Sequence, residues 1–259
     1  MNKTATKAPP PPFARADGAG GGWAAGPGSA GALPFELNGE AVSADPSGVL
    51  WWPERRVLVA ADLHFEKGTS YARKGLFLPP YDTRATLDRL EEAMGRLNPA
   101  TVVSLGDAFH DRGAEARFCE EDAERLEALC RAVDWVWIAG NHDPAPPKRF
   151  RGMVCEHLQL GRLIFRHDPL EYEEPDQASG EVAGHLHPVA KVRRPGRSVR
   201  RRCFATDGRR LVMPAFGAYA GGLNLRDEAF APLFSRDVAA LMIGNGKVHR
   251  APAREMLPD

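Results

Sequence analysis

The chain has 259 residues, with 34 Lys and Arg balanced by 34 Asp and Glu. That length suits one ordinary domain with extensions, and 43% apolar with 26% charged residues excludes a wholly disordered chain. No apolar run reaches the roughly 18 to 20 residues that span a bilayer, and zero net charge argues against a surface that is basic throughout.

Residues 1–32 contain Pro9 to Pro12 and then seven glycines between Asp17 and Gly31, with few bulky side chains to offset the entropy of ordering. A disordered Pro/Gly-rich tail is expected there, followed by one domain over 33–250 and a flexible C-terminal tail over 251–259. No apolar stretch follows Lys3 and Lys7, so no secretory leader and a cytoplasmic protein are expected. Cys119, Cys130, Cys155 and Cys203 are scattered without a CxxC pair and read as reduced, structural thiols.

From Phe35 the segments FELNGEAVSA and GVLWWPERRVLVAADLH predict short strands joined by turns at Asn38-Gly39 and at Asp45 to Gly48. Three apolar strands then end in polar clusters: RVLVA-ADLHFEKG (56–68), TVVSL-GDAFHDRG (101–113) and WVWIA-GNHDP (135–144). A helix opened by Asp82, with Leu87, Leu90, Met94 and Leu97 on one face, is predicted between the first two. Another over 114–132 carries Phe118, Leu126, Leu129 and Cys130. Strand alternating with helix marks a parallel sheet, whose carboxyl edge is where ligands bind. After Pro147 only short strands follow, read as an antiparallel sheet packed on the first.

The clusters share one chemistry. Asp62-x-His64, Gly106-Asp107, Gly140-Asn141-His142-Asp143, His167 and Gly184-His185-x-His187 each follow an apolar run of strand length. Carboxylate, carboxamide oxygen and imidazole without thiolate suit manganese, iron or zinc, and there are enough ligands for two ions. Such a pair supplies hydroxide at neutral pH and neutralises the oxygens of a phosphoester. His167 is preferred over His157 because it closes the longer run Leu163 to Arg166, while His157 and His249 read as surface residues.

This pattern, D-x-H, G-D, G-N-H-D, H, G-H-x-H, resembles that of the calcineurin-like metallophosphoesterases. The strings AADLHFEKG, YDTRATLDRL, GDAFHDR, GNHDP, GHLHP and MPAFGAYAGGLN are closer still to the ligase-associated DNA damage response endonucleases, the PdeM group. The resemblance implies an α/β fold, a four-layer sandwich of two mixed sheets flanked by helices, and two divalent ions, Mn2+ first, with Fe2+ or Zn2+ as alternatives. It implies that Asp62, His64 and His187 hold one ion, that Asn141, His167 and His185 hold the other, and that Asp107 bridges them. His142 then protonates the leaving oxygen or hydrogen-bonds the phosphoryl group, and Asp143 orients that neighbourhood or caps a turn. DNA is the implied substrate, with an ATP-dependent DNA ligase and a helicase as functional partners.

One departure concerns the superfamily pattern G-D-x-x-D-R, which reads G-D-A-F-H-D-R here and places His110 in the Asp slot, displacing Asp111 and Arg112 by one residue. Whether Arg112 reaches the substrate, and whether His110 or Asp111 supports His142, stays open at this level. Further along, Lys191 to Arg202 holds seven basic residues around Pro195-Gly196, and Arg194 and Arg197 are candidates to track a nucleic-acid backbone, against a merely solvated turn. Tyr219, in the glycine-rich segment 216–224, is a candidate to stack on a base, against a tight structural connection. Two rival functions remain: hydrolysis of nucleotides or other small phosphoesters by the same site, and a non-catalytic scaffold of the same fold, disfavoured by the complete ligand set.

Overall fold

The computed structural model describes residues 30–76, 78–79, 81–143, 148–171, 179–234 and 237–259. Apart from its last three residues, the expected N-terminal tail lies outside them. The first sheet is built from β1 (Leu33–Leu37), β2 (Glu40–Ala44), β3 (Leu50–Trp52), β4 (Val57–Ala61), β5 (Thr101–Leu105), β6 (Asp134–Ile138) and β7 (Met153–Cys155), hydrogen-bonded in chain order. The hairpin β1–β2 turns at Asn38-Gly39, both with positive φ (49° and 82°), as a tight two-residue connection requires. Pairing is antiparallel up to β4 and parallel from β4 to β7. β4 and β5 are buried at every position, as expected of strands covered on both faces.

The crossovers are helical. The helices are α1 (Lys67–Arg73), α2 (Asp82–Leu97) and α3 (Glu120–Ala132), the last preceded by a 3-10 turn at Glu115–Arg117. Leu87, Leu90 and Met94 of α2 and Leu126 and Cys130 of α3 pack on Leu58, Val102, Trp135 and Trp137 of the sheet, as the apolar stripes predicted, but Phe118 lies in extended backbone before α3 and not on the helix. Asp82 does not cap α2. Its carboxylate accepts the Gly68 backbone N–H (3.0 Å), tying α2 to α1, a helix too short for its periodicity to show in sequence.

The second sheet contains β8 (His157–Leu160), β9 (Leu163–Arg166), β10 (Gly180–Ala183), β11 (Pro188–Arg194), β12 (Arg197–Thr206), β13 (Arg210–Val212), β14 (Leu223–Asn224), β15 (Ala239–Gly244), β16 (Lys247–Pro252) and β17 (Met256–Leu257). It is mixed, and this corrects the antiparallel expectation: β9, β10 and β13 run parallel, so that β9 and β10 end at the same edge. The inner faces of the two sheets bury one core, including Trp52, Val103, Phe165, Phe204 and Met213. The outer face of the second sheet is covered by Phe230 and Leu233 of a 3-10 segment, Glu228–Leu233. The expected sandwich of two mixed sheets is therefore present, with a fourth layer much thinner than the α2/α3 layer.

Residues 251–259 also differ from expectation. They complete β16, form a 3-10 turn and pair β17 with β11, and Asp259 accepts from Arg200 (3.0 Å). A strand of two residues carries too little pattern to be read from sequence. No described helix is long and apolar enough to cross a membrane.

Candidate metal centre

The carboxyl ends of β4, β5, β6, β9 and β10 meet along one rim, and the polar clusters begin where those strands stop. The segments leaving β4 and β5 do not diverge. Asp62, His64 and Phe65 donate backbone N–H groups to the carbonyls of Gly106, Asp107 and Ala108, and His110 N–H returns to Phe65. Asp62 and His64 are thereby held in register beside Asp107 and His110. Five candidate ligands take left-handed backbone conformations: Asp62 (φ 53°), His64 (46°), Asp107 (44°), His185 (67°) and His187 (47°). Each such non-glycine residue costs on the order of 1 kcal/mol or more, a cost that concentrates at functional sites.

Glycines before the ligands make room for their neighbours. A Cβ on Gly106 would strike the His167 ring, and one on Gly140 would strike the backbone and carboxylate of Asp107. That is a physical reason for Gly-Asp and Gly-Asn in these positions.

Two donor groups result. Asp62, His64 and His187 form one, and Asp107, His167 and His185 the other. In the first, His187 Nε2 lies 3.3 Å from both Asp62 Oδ1 and His64 Nε2. In the second, His167 Nε2 lies 2.9 Å from Asn141 Oδ1, 3.2 Å from His185 Nδ1 and 3.4 Å from Asp107 Oδ2. The other nitrogen, His167 Nδ1, is within 3.3 Å of the Leu105 carbonyl, which turns Nε2 toward the cluster. Oxygen and nitrogen donor atoms thus converge on two small volumes, an arrangement that a cation satisfies. The separations match donors ranged around an ion at about 2.1 Å.

The electrostatics agree. Asp62 and Asp107 are almost completely buried carboxylates. Burial opposes charge on Asp107, but hydrogen bonds from His167 and the His142 backbone N–H hold its carboxyl below the usual range. Burial likewise opposes charge on His167, and the hydrogen bond to Asp107 with the nearby Asp62 outweighs it and raises that imidazole. His64 is pushed down by burial. Two buried carboxylates thus face each other across the pocket, an environment that favours positive charge.

His142 stands apart from both donor groups, partly exposed at the rim, with Nε2 3.9 Å from Asp107 Oδ2. Its ring stacks on His110, centroids 5.3 Å apart and planes within 19°. His110 is the residue placed against His142. Burial, Lys67 and His142 depress its pKa to about 4, and its Nδ1 is a buried atom without a hydrogen bond among the described residues. Asp111 turns away to Arg117 (2.8 Å). Asp143 accepts the Phe109 N–H (2.9 Å), fastening the loop after β6 to that after β5, and burial raises its carboxyl to about 7.

Arg112 is exposed and makes no hydrogen bond or ion pair to the candidate ligands among the described residues. Arg194 and Arg197 sit exposed at the tip of the β11–β12 hairpin, away from the rim. The Tyr219 hydroxyl donates to the Pro79 carbonyl (2.8 Å), tying the glycine-rich segment to the loop before α2. His157 and His249 are exposed, as the sequence suggested. Sequence reasoning missed Lys67, a half-buried cation whose pKa is lowered by burial and held up by Asp62, Asp82 and Asp107. Its position directly after Asp62-x-His64-x-Glu66 is the signal that pointed to it.

The calcineurin-like phosphoesterase family model matches residues 55–198. Among solved structures, the Pseudomonas putida nuclease MPE superposes with a TM-score of 0.65 at 26% identity, over 85% of this chain and all of that one. The phosphoesterase YfcE from E. coli is more distant, with a TM-score of 0.39 at 14% identity over 75% of this chain and 97% of its own. Among proteins with curated functions, none matches significantly. The family match spans more than half the chain and runs through every candidate ligand from Asp62 to His187; the chain belongs to the calcineurin-like phosphoesterase family.

Proposed function

We propose that this metal-dependent phosphoesterase is a dinuclear DNA endonuclease acting in repair, in company with an ATP-dependent DNA ligase and a helicase. The observation that carries the hydrolytic reading is the pair of adjacent donor groups, Asp62, His64 and His187 beside Asp107, His167 and His185, with His167 Nδ1 3.7 Å from Asp62 Oδ1. Asp62, His64 and His187 would hold one ion and Asn141, His167 and His185 the other, with Asp107 shared. Bound ions, manganese by preference, supply activated water and charge against the phosphoryl oxygens. The protein's own part is to place His142 at the open rim, where its imidazole protonates or hydrogen-bonds the departing oxygen. His110 holds that ring by stacking. The endonuclease reading is supported by likeness to the MPE nuclease and by the basic hairpin.

The test is a panel of single-stranded, plasmid and duplex DNA together with small phosphodiesters, each with manganese, iron or zinc and with Asp107→Asn as the blank. Manganese-dependent internal cleavage of DNA, absent in Asp107→Asn, is the expected result. Cleavage of small esters alone, at catalytic protein levels, would leave a small-molecule phosphodiesterase.

A further inference from the structure

The ten-residue strand β12 is paired on both sides for only part of its length. Cys203 to Thr206 lie between β15 and other strands of the sheet, while among the described residues Arg197 to Arg202 pair with β11 alone. Beyond the last shared pair, Cys203 and Met242, β15 keeps only Ile243 and Gly244 before it turns back into β16 at Asn245-Gly246. Six residues of β12, about 20 Å of strand, are thus left as a free edge that begins where the β15–β16 turn ends.

Beside this edge lies a recess of about 430 Å³, a volume in the range of ligand pockets. Its floor is the buried Val192 and Met242 with the half-buried Val199, and Arg194, Arg197 and Arg201 stand around it. Among the described residues no Asp or Glu lines it. Side chains alternate between the faces of a strand, so the basic residues of the hairpin divide. Arg194, Arg197 and Arg201 share the face of the recess, whereas Lys191, Arg193, Arg200 and Arg202 belong to the opposite face, where Arg200 and Arg202 bond the carbonyls of Gly222 and Ala215. The three recess arginines are exposed and, among the described residues, in no ion pair. The Arg201 guanidinium donates to the Arg200 carbonyl (3.0 Å), a backbone group of the free stretch.

We propose that this edge and recess dock an extended segment of a protein partner, one that adds as a strand beside Arg197 to Arg202 and carries acidic, apolar and acidic residues at positions i, i+2 and i+4. In strand addition the main chain supplies the hydrogen bonds and alternate side chains supply the choice. Along the recess face β12 reads Arg197, Val199, Arg201, and directly opposed side chains of paired strands interact. The two carboxylates therefore meet Arg197 and Arg201, and the apolar residue between them covers Val199 and Met242. A nucleic-acid strand brings phosphates but no peptide N–H groups to match a strand edge. The first 29 residues of this chain hold one carboxylate, Asp17, against Lys3, Lys7 and Arg15, and so lack the pattern. Charged residues on an edge strand commonly block pairing, but these surround an apolar hollow and leave it open. The proposal does not depend on the reaction at the metal centre.

The probe is a fluorescein-labelled peptide, GSDTFTDSG, titrated by anisotropy into the full-length chain in EDTA. Control peptides carry Lys in place of both Asp, or Ser in place of Phe. Two more are N-methylated, one at both Thr and one at Asp, Phe and Asp, so that only one of them loses the donors facing β12. The Lys and Ser peptides should bind about tenfold more weakly or worse, and one N-methylated peptide should fail while the other binds. Arg194→Ala/Arg197→Ala/Arg201→Ala should lower affinity for the parent peptide by about tenfold or more, and Arg197→Glu/Arg201→Glu should come to prefer the Lys peptide. Hydrogen exchange at residues 197–202 should slow when the parent peptide is bound. Thermal melts report folding, and the charge-swapped pair keeps the test valid if the Ala triple is unstable. A dissociation constant above about 1 mM for the parent peptide, or unchanged affinity in a folded Ala triple, would overturn the docking surface. Equal binding of the two N-methylated peptides would overturn strand addition. An Ala triple that loses dT20, titrated in the same way, but keeps the peptide would assign the recess to nucleic acid and overturn the proposal.

Discussion

At the level of single residues, the site separates buried groups that hold charge in place from an imidazole at the open rim. Asp107 accepts the His142 backbone N–H through Oδ1 (2.9 Å) and turns Oδ2 toward His167 (3.4 Å), so one buried side chain joins its own donor group to the loop that carries His142. The His142 ring, by contrast, is held through packing against His64 and His110. Its removal should therefore leave the ligand cluster standing. We expect His142→Ala to retain wild-type metal content by elemental analysis while turnover falls by about 10² to 10⁴, the range for loss of a general acid. Loss of an ion in that variant would instead make His142 a ligand. The meeting of these residues at one rim was legible in the sequence because aspartate, asparagine and histidine recur immediately after strand-length apolar runs. The left-handed backbone at Asp62, His64, Asp107, His185 and His187 was not legible, since L-residues disfavour it and only the surrounding packing imposes it. Nor was the stacking of His110 on His142, which depends on backbone bonds between two loops some forty residues apart.

Among elements, α2 does more than cover the sheet. Its Arg89 donates to the carbonyls of Ser47 and Phe216 (2.7 Å each), which joins the turn between β2 and β3 to the glycine-rich segment beside the metal centre. Two turns further, Arg96 makes a two-pronged ion pair with Asp45 (2.7 and 2.8 Å), a carboxylate that is only 1% exposed. Removing a partner from a buried charge costs more than the pair contributes, about 3 to 5 kcal/mol when burial is complete. Arg96 keeps some solvent contact, and Ser47 still bonds Asp45. Arg96→Ala should accordingly destabilise the chain by about 2 to 3 kcal/mol in urea or thermal unfolding. A change within 0.5 kcal/mol would show that Asp45 is satisfied without it. The apolar period of 3.6 made α2 and α3 readable in advance, and their order between strands gave the parallel half of the first sheet. The parallel pairing of β9 with β10 escaped because strands of four residues joined without a helix do not declare their direction.

For the molecule as a whole, the metal centre is also a joint. Asp62, His64, Asp107 and Asn141 follow strands of the first sheet, while His167, His185 and His187 follow strands of the second. Protein contacts across that rim include the His185 N–H donating to Asp62 (3.1 Å) and His167 Nε2 set 2.9 Å from Asn141 Oδ1. Ions bound there link the sheets and bind the native state alone, so mass action converts affinity into stability: about 2.7 kcal/mol for one site at a hundredfold excess over its dissociation constant. In a domain of this size each kcal/mol shifts the midpoint by roughly 2 to 4 °C. Manganese added to EDTA-treated protein should thus raise Tm by about 5 to 10 °C per occupied site, and Asp107→Asn should lose most of the rise. Because the imidazoles must be neutral to bind, and the nearby carboxylates favour a proton on His167, the increment should shrink as pH falls. A Tm indifferent to manganese at neutral pH, in protein shown by elemental analysis to have taken the metal up, would mean that the ions sit elsewhere than between the two sheets.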